Sequence, residues 1–219
     1  MKTGFVAAAL LLSTALCAQD MTYDAGRTTF GIRAGVNFQN INGKDMSGNT
    51  LENNIATGFH AGVNAEIPLG VGFYLQPGVL YSQKGTEFAN DNQVKLNYLE
   101  VPVNFVYKPV LGTGRMLLGF GPYIGFGIGG KVKDDNTERD VTFNNNTTTP
   151  STPSLAAGIY KTTDAGANFL AGYEFARNLS FQVNAQLGLV NINPEFSGAT
   201  NDETRWRNTG FGVSLGYRF

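Results

Sequence analysis

Charge, cysteine and histidine are scarce in this chain. Only 15% of its 219 residues are charged, against roughly 25% in an average soluble domain, so a charge-coated, solvated surface is not expected. The formal net charge of -1 leaves no basic excess to hold nucleic acid. One cysteine excludes both a disulfide framework and a cysteine-based zinc site. After the first twenty residues no apolar run approaches the ~18 consecutive residues that a membrane helix needs. What is plentiful is glycine, at 28 residues, with 12% aromatic and 42% hydrophobic residues, a composition that disfavours disorder. The length suits one domain or two small ones.

Residues 1–18 read as a secretory signal. Lys2 supplies the positive start, Phe5 to Leu12 the apolar stretch, and Thr14 to Ala18 the small-residue exit before Gln19. The apolar stretch is too short to span a bilayer. Lipidation at Cys17 would want a small residue before it, and Leu16 stands there. Removal of this segment takes Lys2 with it, leaving 15 basic and 17 acidic residues and no cysteine. The domain plan is a signal peptide at 1–18, an N-terminal segment at 19–27 and one β domain at 28–219.

Period two runs through that domain. From 30 to 38, Phe30, Ile32, Ala34, Val36 and Phe38 alternate with Gly31, Arg33, Gly35 and Asn37. Successive strand residues point to opposite faces, so this is a strand with one apolar side. Seven more stretches repeat the pattern, at 59–67, 73–81, 99–107, 118–128, 165–175, 179–189 and 211–219. Their apolar faces comprise 43 positions without a single charge. The opposite faces comprise 35 positions, of which 13 are Gly and most of the others polar or charged.

The glycine decides which face is inside. On the outside of a soluble sandwich, strands favour Thr, Lys, Glu and Arg over Gly. Inside a small closed barrel, Gly and a few polar groups fit the narrow bore, and the apolar face is left for lipid. Backbone groups cannot stay unpaired in hydrocarbon, so the eight strands have to close into a ring. The expected fold is all-β: an eight-stranded antiparallel transmembrane up-and-down β-barrel, its strands about 10 residues long as a tilted membrane crossing requires. Connections alternate short (68–71, 108–115, 176–178) and long (40–57, 85–95, 130–163, 191–209). By the habit of bacterial outer-membrane barrels, the short turns and both chain ends are then periplasmic and the long loops extracellular. Tyr107, Tyr217 and Phe219 fall near the periplasmic rim and Tyr81 toward the outer one, where aromatic girdles are expected. Pro77, Pro102 and Pro122 each remove a ladder donor, so bulges or ladder gaps are expected beside them.

The sequence Tyr98-Leu99-Glu100-Val101-Pro102-Val103, the Gly-Pro-Tyr segment at 121–123, the stretch 164–175 with Gly172-Tyr173-Glu174, and the ending 210–219 together resemble the small outer-membrane β-barrel family of Bacteroidetes, including PorT-like porin-family domains. The resemblance covers about residues 25 to 219. It implies an outer-membrane protein, and its ending, with Tyr217 and Phe219, looks like the signal read by the barrel-assembly machinery. No catalytic residues carry over, because such barrels host secretion factors, adhesins, enzymes and proteins of no known role.

The inward charges form the candidate site. Arg33, Arg218 and, near the outer mouth, Lys84 oppose Glu66, Glu100, Glu174 and, near the mouth, Asp164. This near-balance of three against four favours a hydrogen-bonded plug over a proton or ion path, and eight strands leave little room for a general pore. His60, the only histidine, faces inward with Ser82 on the neighbouring strand; a satisfied lumenal histidine competes with a base that would activate a nucleophile. Gly119, Gly121 and Gly125 lack the following helix of a nucleotide loop and read as bore-facing. The 130–163 loop, with its Asn/Thr tract at 144–149, is either a solvated loop or a surface for a partner, glycan or phage. Asp134 and Asp135 fit no metal-loop spacing.

The expected protein is therefore a monomeric, non-enzymatic barrel in outer-membrane lipid, without cofactor or metal, acting through its extracellular loops. A secretion-system or cell-surface partner, an outer-rim hydrolase using His60 and a narrow channel are the alternatives. The PorT-like resemblance implies the first, as an accessory factor at the periplasmic side.

Overall fold

The computed structural model describes residues 26–45, 47–88, 92–134, 137–147, 158–176, 178–196 and 204–219. The signal peptide, Cys17 and most of the 19–27 segment lie outside these residues, as do parts of the 130–163 and 191–209 loops.

Eight long strands carry the fold: β1 Thr29–Lys44, β2 Asn54–Gly70, β3 Phe73–Glu87, β4 Gln93–Tyr107, β5 Gly114–Asp134, β6 Thr163–Glu174, β7 Leu179–Gly188 and β8 Arg205–Arg218. Each pairs antiparallel with its neighbours in chain order, and β8 pairs with β1 from Gly31↔Arg218 to Lys44↔Arg205. That last ladder closes the ring, so the eight strands leave no free edge among themselves. No described helix is long and apolar enough to cross a membrane; the crossing is made by strands.

The alternation sets the facing. Phe120, Phe126 and Phe181 stand 59%, 40% and 42% exposed, whereas Arg33, Glu66 and Gln182 on the other face are buried. In water such an outer surface would be a very large apolar patch; in a bilayer it is the lipid contact. Aromatic rings gather at the short-turn rim, with Phe73 4.7 Å from Tyr107 and Tyr217 5.3 Å from Phe219. Further up, Phe59 lies 5.3 Å from Tyr81. The short turns each contain a left-handed residue, Gly72 at φ 76°, Gly112 at φ 62° and Asn178 at φ 63°. Glycine and asparagine tolerate that conformation, which lets antiparallel strands reverse tightly.

Each proline sits beside missing ladder pairs with the register unchanged. Pairing lapses between Asn64↔Gly78 and Ile67↔Leu75 beside Pro77, between Pro77↔Val103 and Leu80↔Glu100 beside Pro102, and between Pro102↔Tyr123 and Phe105↔Phe120 beside Pro122. The absent N–H removes a donor without moving the strand.

Strand length departs from the expected ten residues. Seven of the eight are longer, up to 21 residues in β5. Most of the excess lies at the long-loop end, where β5 leads into Thr137–Asp140 and pairs with it through Lys131↔Asp140 to Asp134↔Thr137, while β2 and β5 also gain a few residues at the short-turn end. Much of what period two alone assigns to loops is thus continued sheet. The pattern loses its apolar face there because the sheet no longer meets lipid, while its backbone ladder continues.

A charge placed on the lipid face separates this arrangement from a soluble one. Val183→Arg, halfway along β7, is expected to lower unfolding stability in lipid vesicles by about 2–4 kcal/mol, measured by urea titration. Thr137→Arg on the exposed hairpin should leave the titration midpoint in place.

Candidate functional site: a layered lumen

The bore is filled in layers that follow from the inward register of the strands. At the short-turn end, Lys108 Nζ lies 2.8 Å from Glu66 Oε1 and 2.7 Å from Glu174 Oε2, and its ammonium stands 5.2 Å from the centre of the Tyr74 ring. Arg218 Nη2 lies 3.3 Å from Glu66 Oε2 and donates to Asn64 Oδ1 at 3.0 Å. Gln76 Nε2 donates to Glu66 at 3.4 Å. Two cations thus hold two carboxylates, and the amides of Asn64 and Gln76 add hydrogen bonds, although Arg218 Nε and Nη1 are buried without a hydrogen-bond partner.

Above it lies a small apolar layer of Val106, Leu117 and Leu170. The middle of the bore is neutral apart from Arg33. There Asn168 Nδ2 donates to Asn104 Oδ1 at 2.9 Å, and Arg33 Nη1 donates to Gln182 Oε1 at 3.3 Å. His60 Nδ1 meets Asn37 Oδ1 at 2.8 Å, while Asn37 Nδ2 donates to Ser82 Oγ at 3.2 Å. His60 and Ser82 do stand opposite each other in the β2–β3 ladder, but Asn37 lies between them and takes the hydroxyl's described hydrogen bond. A nucleophile and its base need direct reach, and this pair is joined through an amide instead. Gly35 makes room for the imidazole; a Cβ there would stand 2.8 Å from His60 Cε1.

The next layer is the tightest. Lys84 Nζ lies 2.6 Å from Glu100 Oε1 and 3.0 Å from Asp164 Oδ2, with its ammonium 4.3 Å from the centre of the Tyr123 ring. Gln186 Nε2 donates to Glu100 and Asn208 Nδ2 to Asp164, both at 3.0 Å. The sequence places Lys84 and Asp164 near the outer mouth; in the structure both are fully sealed, at 1% and 0% exposure. The physical reason is above them. Ile41, Val94, Leu96, Tyr98, Val132, Val141, Tyr160, Ile192 and Trp206 form a buried apolar cluster, with Leu51, Phe88 and Phe143 packed on it. The extended strands supply six of its nine buried members, the segments after β5, before β6 and after β7 supply Val141, Tyr160 and Ile192, and Leu51 and Phe88 pack on from the β1–β2 and β3–β4 loops. Phe143 lies directly over Gly127, where a Cβ would collide with its ring.

One lumenal cation escapes sequence reasoning. Lys108 falls in the 108–115 turn by pattern, yet its side chain is 1% exposed. The signal is its parity: it continues the inward series 102, 104, 106 of β4 by one step. With it, the bore holds four cations, Arg33, Lys84, Lys108 and Arg218, against four carboxylates, Glu66, Glu100, Asp164 and Glu174. The eight are not one network. Two clusters form, one toward each end, and Arg33 and His60 belong to the amide layer between.

Space inside is minimal. A void of about 10 Å³ lies among Arg33, His60, Glu100 and Asn184, room for about one water. An opening of about 490 Å³ faces out at the short-turn end, floored by the Lys108 cluster. Among the described residues, no three His, Cys, Asp or Glu side chains gather to hold a metal. Outside the barrel, Asp45 in the β1–β2 loop accepts from Asn49 Nδ2 at 3.1 Å and from the amides of Asn49 and Ser47 at 2.9 Å, and these bonds hold its carboxyl below the usual range.

A closed antiparallel ring with an apolar exterior and a hydrogen-bonded polar interior defines an integral outer-membrane β-barrel. Residues 17–193 match the family described as the outer membrane protein beta-barrel domain, and the chain belongs to that family. Solved structures similar to it include neisserial surface protein A, at 14% identity over 89% of this chain and 100% of that one, with a TM-score of 0.47. The attachment invasion locus protein Ail of Yersinia pestis, in complex with the heparin analogue sucrose octasulfate, is 13% identical over 89% and 100%, TM-score 0.42. The outer membrane protein OprG of Pseudomonas aeruginosa is 11% identical over 91% and 99%, TM-score 0.47. Among curated proteins none matches.

The ion layers carry a stability prediction. Lys84→Met leaves Glu100 and Asp164 without a cation and should lower unfolding stability by about 3–5 kcal/mol in urea titrations, the cost of an uncompensated buried charge, whereas Lys108→Met leaves Glu66 and Glu174 still facing Arg218 and should cost less. Neutralising a whole layer, as Lys84→Met with Glu100→Gln and Asp164→Asn, should recover most of the loss. Lys131→Met, at the exposed Lys131–Glu138 pair, should leave the midpoint unchanged.

Proposed function

We propose that this outer-membrane barrel is a non-enzymatic structural or binding protein, a monomer with its long loops extracellular and both termini periplasmic, working through its exposed ends. The observation that carries this reading is the blocked bore: an apolar cap, two ion-paired layers and an amide layer whose void among Arg33, His60, Glu100 and Asn184 measures about 10 Å³. A conducting protein needs a continuous aqueous path, and a side-chain-filled eight-stranded barrel has no bore to spare for one. The long-loop end fits an outward position because its extended sheet carries the charged hairpin at 131–140 beyond the lipid-facing band. Outer-membrane lipid and the barrel-assembly machinery, reading an ending with Tyr217 and Phe219, are the partners this reading implies.

A second reading, favoured by the opening at the short-turn end, is an accessory role in protein secretion at the periplasmic side, in keeping with the PorT-like, Bacteroidetes-type resemblance. Loss of surface export in a deletion strain supports it over a purely structural role.

Two measurements test the main reading. Purified protein in planar bilayers is expected to give closed traces; steady single-channel currents would overturn the plugged lumen. In intact cells, an impermeant thiol reagent is expected to label Lys133→Cys and to miss Thr113→Cys; the opposite pattern would invert the orientation.

A further inference from the structure

From the short-turn opening we infer a binding site for a carboxylate-bearing peptide, with Arg115 and Arg27 as its anchors. The cavity of about 490 Å³ is of the size that takes a few side chains. Its walls carry four cations, Arg27, Lys108, Arg115 and Arg218, but two acidic side chains, Glu66 and Glu174. Lys108 and Arg218 already hold those two carboxylates. That leaves the guanidinium groups of Arg27 and Arg115, both exposed, with no carboxylate partner among the described residues.

Arg115 is not a loose surface side chain. As the first inward residue of β5 after Gly114 it reaches over the mouth, where its Nη1 donates to the Tyr74 hydroxyl at 3.1 Å. A fixed guanidinium keeps a fork of donors in place, and that fork matches a carboxylate in two parallel hydrogen bonds. The floor beneath is itself ionic, so an entering anion meets a net positive wall and a low-dielectric boundary that strengthens the attraction.

The chain around Arg115 points to a peptide as the carrier of that carboxylate. The short strand Val110–Leu111 pairs with Gly114 and Arg115 of β5 on one side and ends the sheet order on the other. Val110 is 77% exposed. The Leu111 carbonyl already accepts from the Tyr173 hydroxyl at 2.7 Å, so the edge on offer is that of Val110, and a strand edge beside a fixed cation is the arrangement by which an extended segment adds backbone hydrogen bonds to one charged contact. In the orientation proposed above, the peptide belongs to a periplasmic protein; that clause rests on the orientation, whereas the binding does not.

The test uses the purified full barrel in detergent micelles with fluorescein-labelled hexaglutamate as probe, read by anisotropy. Saturable binding that weakens as salt rises is expected. Arg115→Gln should weaken it about tenfold, as loss of one charge-assisted contact does. Arg27→Gln, ahead of the first strand and so without effect on folding, should weaken it several-fold, and Lys131→Gln at the far end should leave it unchanged. No saturable binding, or equal binding by wild type and the Arg27→Gln/Arg115→Gln double variant, would overturn the site. Full displacement by a millimolar concentration of inorganic phosphate would overturn the peptide assignment by reducing the site to a general anion well. Orientation is read independently by the thiol labelling, so the two conclusions fail separately.

Discussion

Every other feature depends on the pairing of β8 with β1. Hydrocarbon offers no partner for a backbone N–H or C=O, so a strand can cross a bilayer only when both its edges are occupied. Fourteen residue pairs join the last strand to the first, from Gly31↔Arg218 to Lys44↔Arg205. Once the ring is closed, each side chain has one of two destinations. Odd or even position in a strand becomes a choice between lipid and lumen.

Closure with eight strands makes the lumen narrow, and narrowness explains its chemistry. Glycine gives the neighbouring strand's backbone and the larger lumenal side chains the space they occupy, as Gly35 does for His60. The remaining volume is too small for hydrated charges, so charges persist as hydrogen-bonded groups of opposite sign, with Arg33, held by the Gln182 amide, the exception. The Lys84 and Lys108 layers share one design, a single ammonium held between two carboxylates from different strands. Each layer ties strands that are far apart around the ring, Lys84 linking β3 to β4 and β6. The polar core thereby braces the barrel across its diameter, which the backbone ladders alone do not do. The apolar cap completes the seal at one end and leaves the other open.

The sequence was most legible where lipid imposes a strict alternation. Phe120, Phe126, Phe181 and their neighbours read as lipid-facing because no other environment explains an uncharged face repeated eight times beside a glycine-rich one. Legibility ended where that contrast ended. Beyond the lipid band, Ile41, Val94, Leu96 and Trp206 keep the inward parity of their strands while the hydrophobic sign reverses, and Val132 turns inward because a β-bulge between Gly127 and Gly129, opposite Asn97 and Tyr98, shifts the alternation of β5. A reading keyed to apolar-out positions stops there and assigns loop. Lys108 was missed for a related reason: it lies just past Tyr107, the last residue of β4, and so reads as turn, although its side chain continues the inward alternation of that strand. The separation of the charges into two clusters was not visible either, because clustering depends on the stagger between strands.

By itself the sequence determined the fold class, the strand count, the direction in which side chains of the lipid-crossing stretches point and the membrane in which such an exterior can exist. These follow from period and composition, which are properties of neighbouring residues. Tertiary structure decided which charges meet, how far the sheet extends past the lipid, that an apolar cap buries Lys84 and Asp164, and that Arg115 reaches across the open mouth to Tyr74. Those outcomes depend on strand stagger and on residues more than a hundred positions apart, such as Asn64 and Arg218, and no local pattern encodes them.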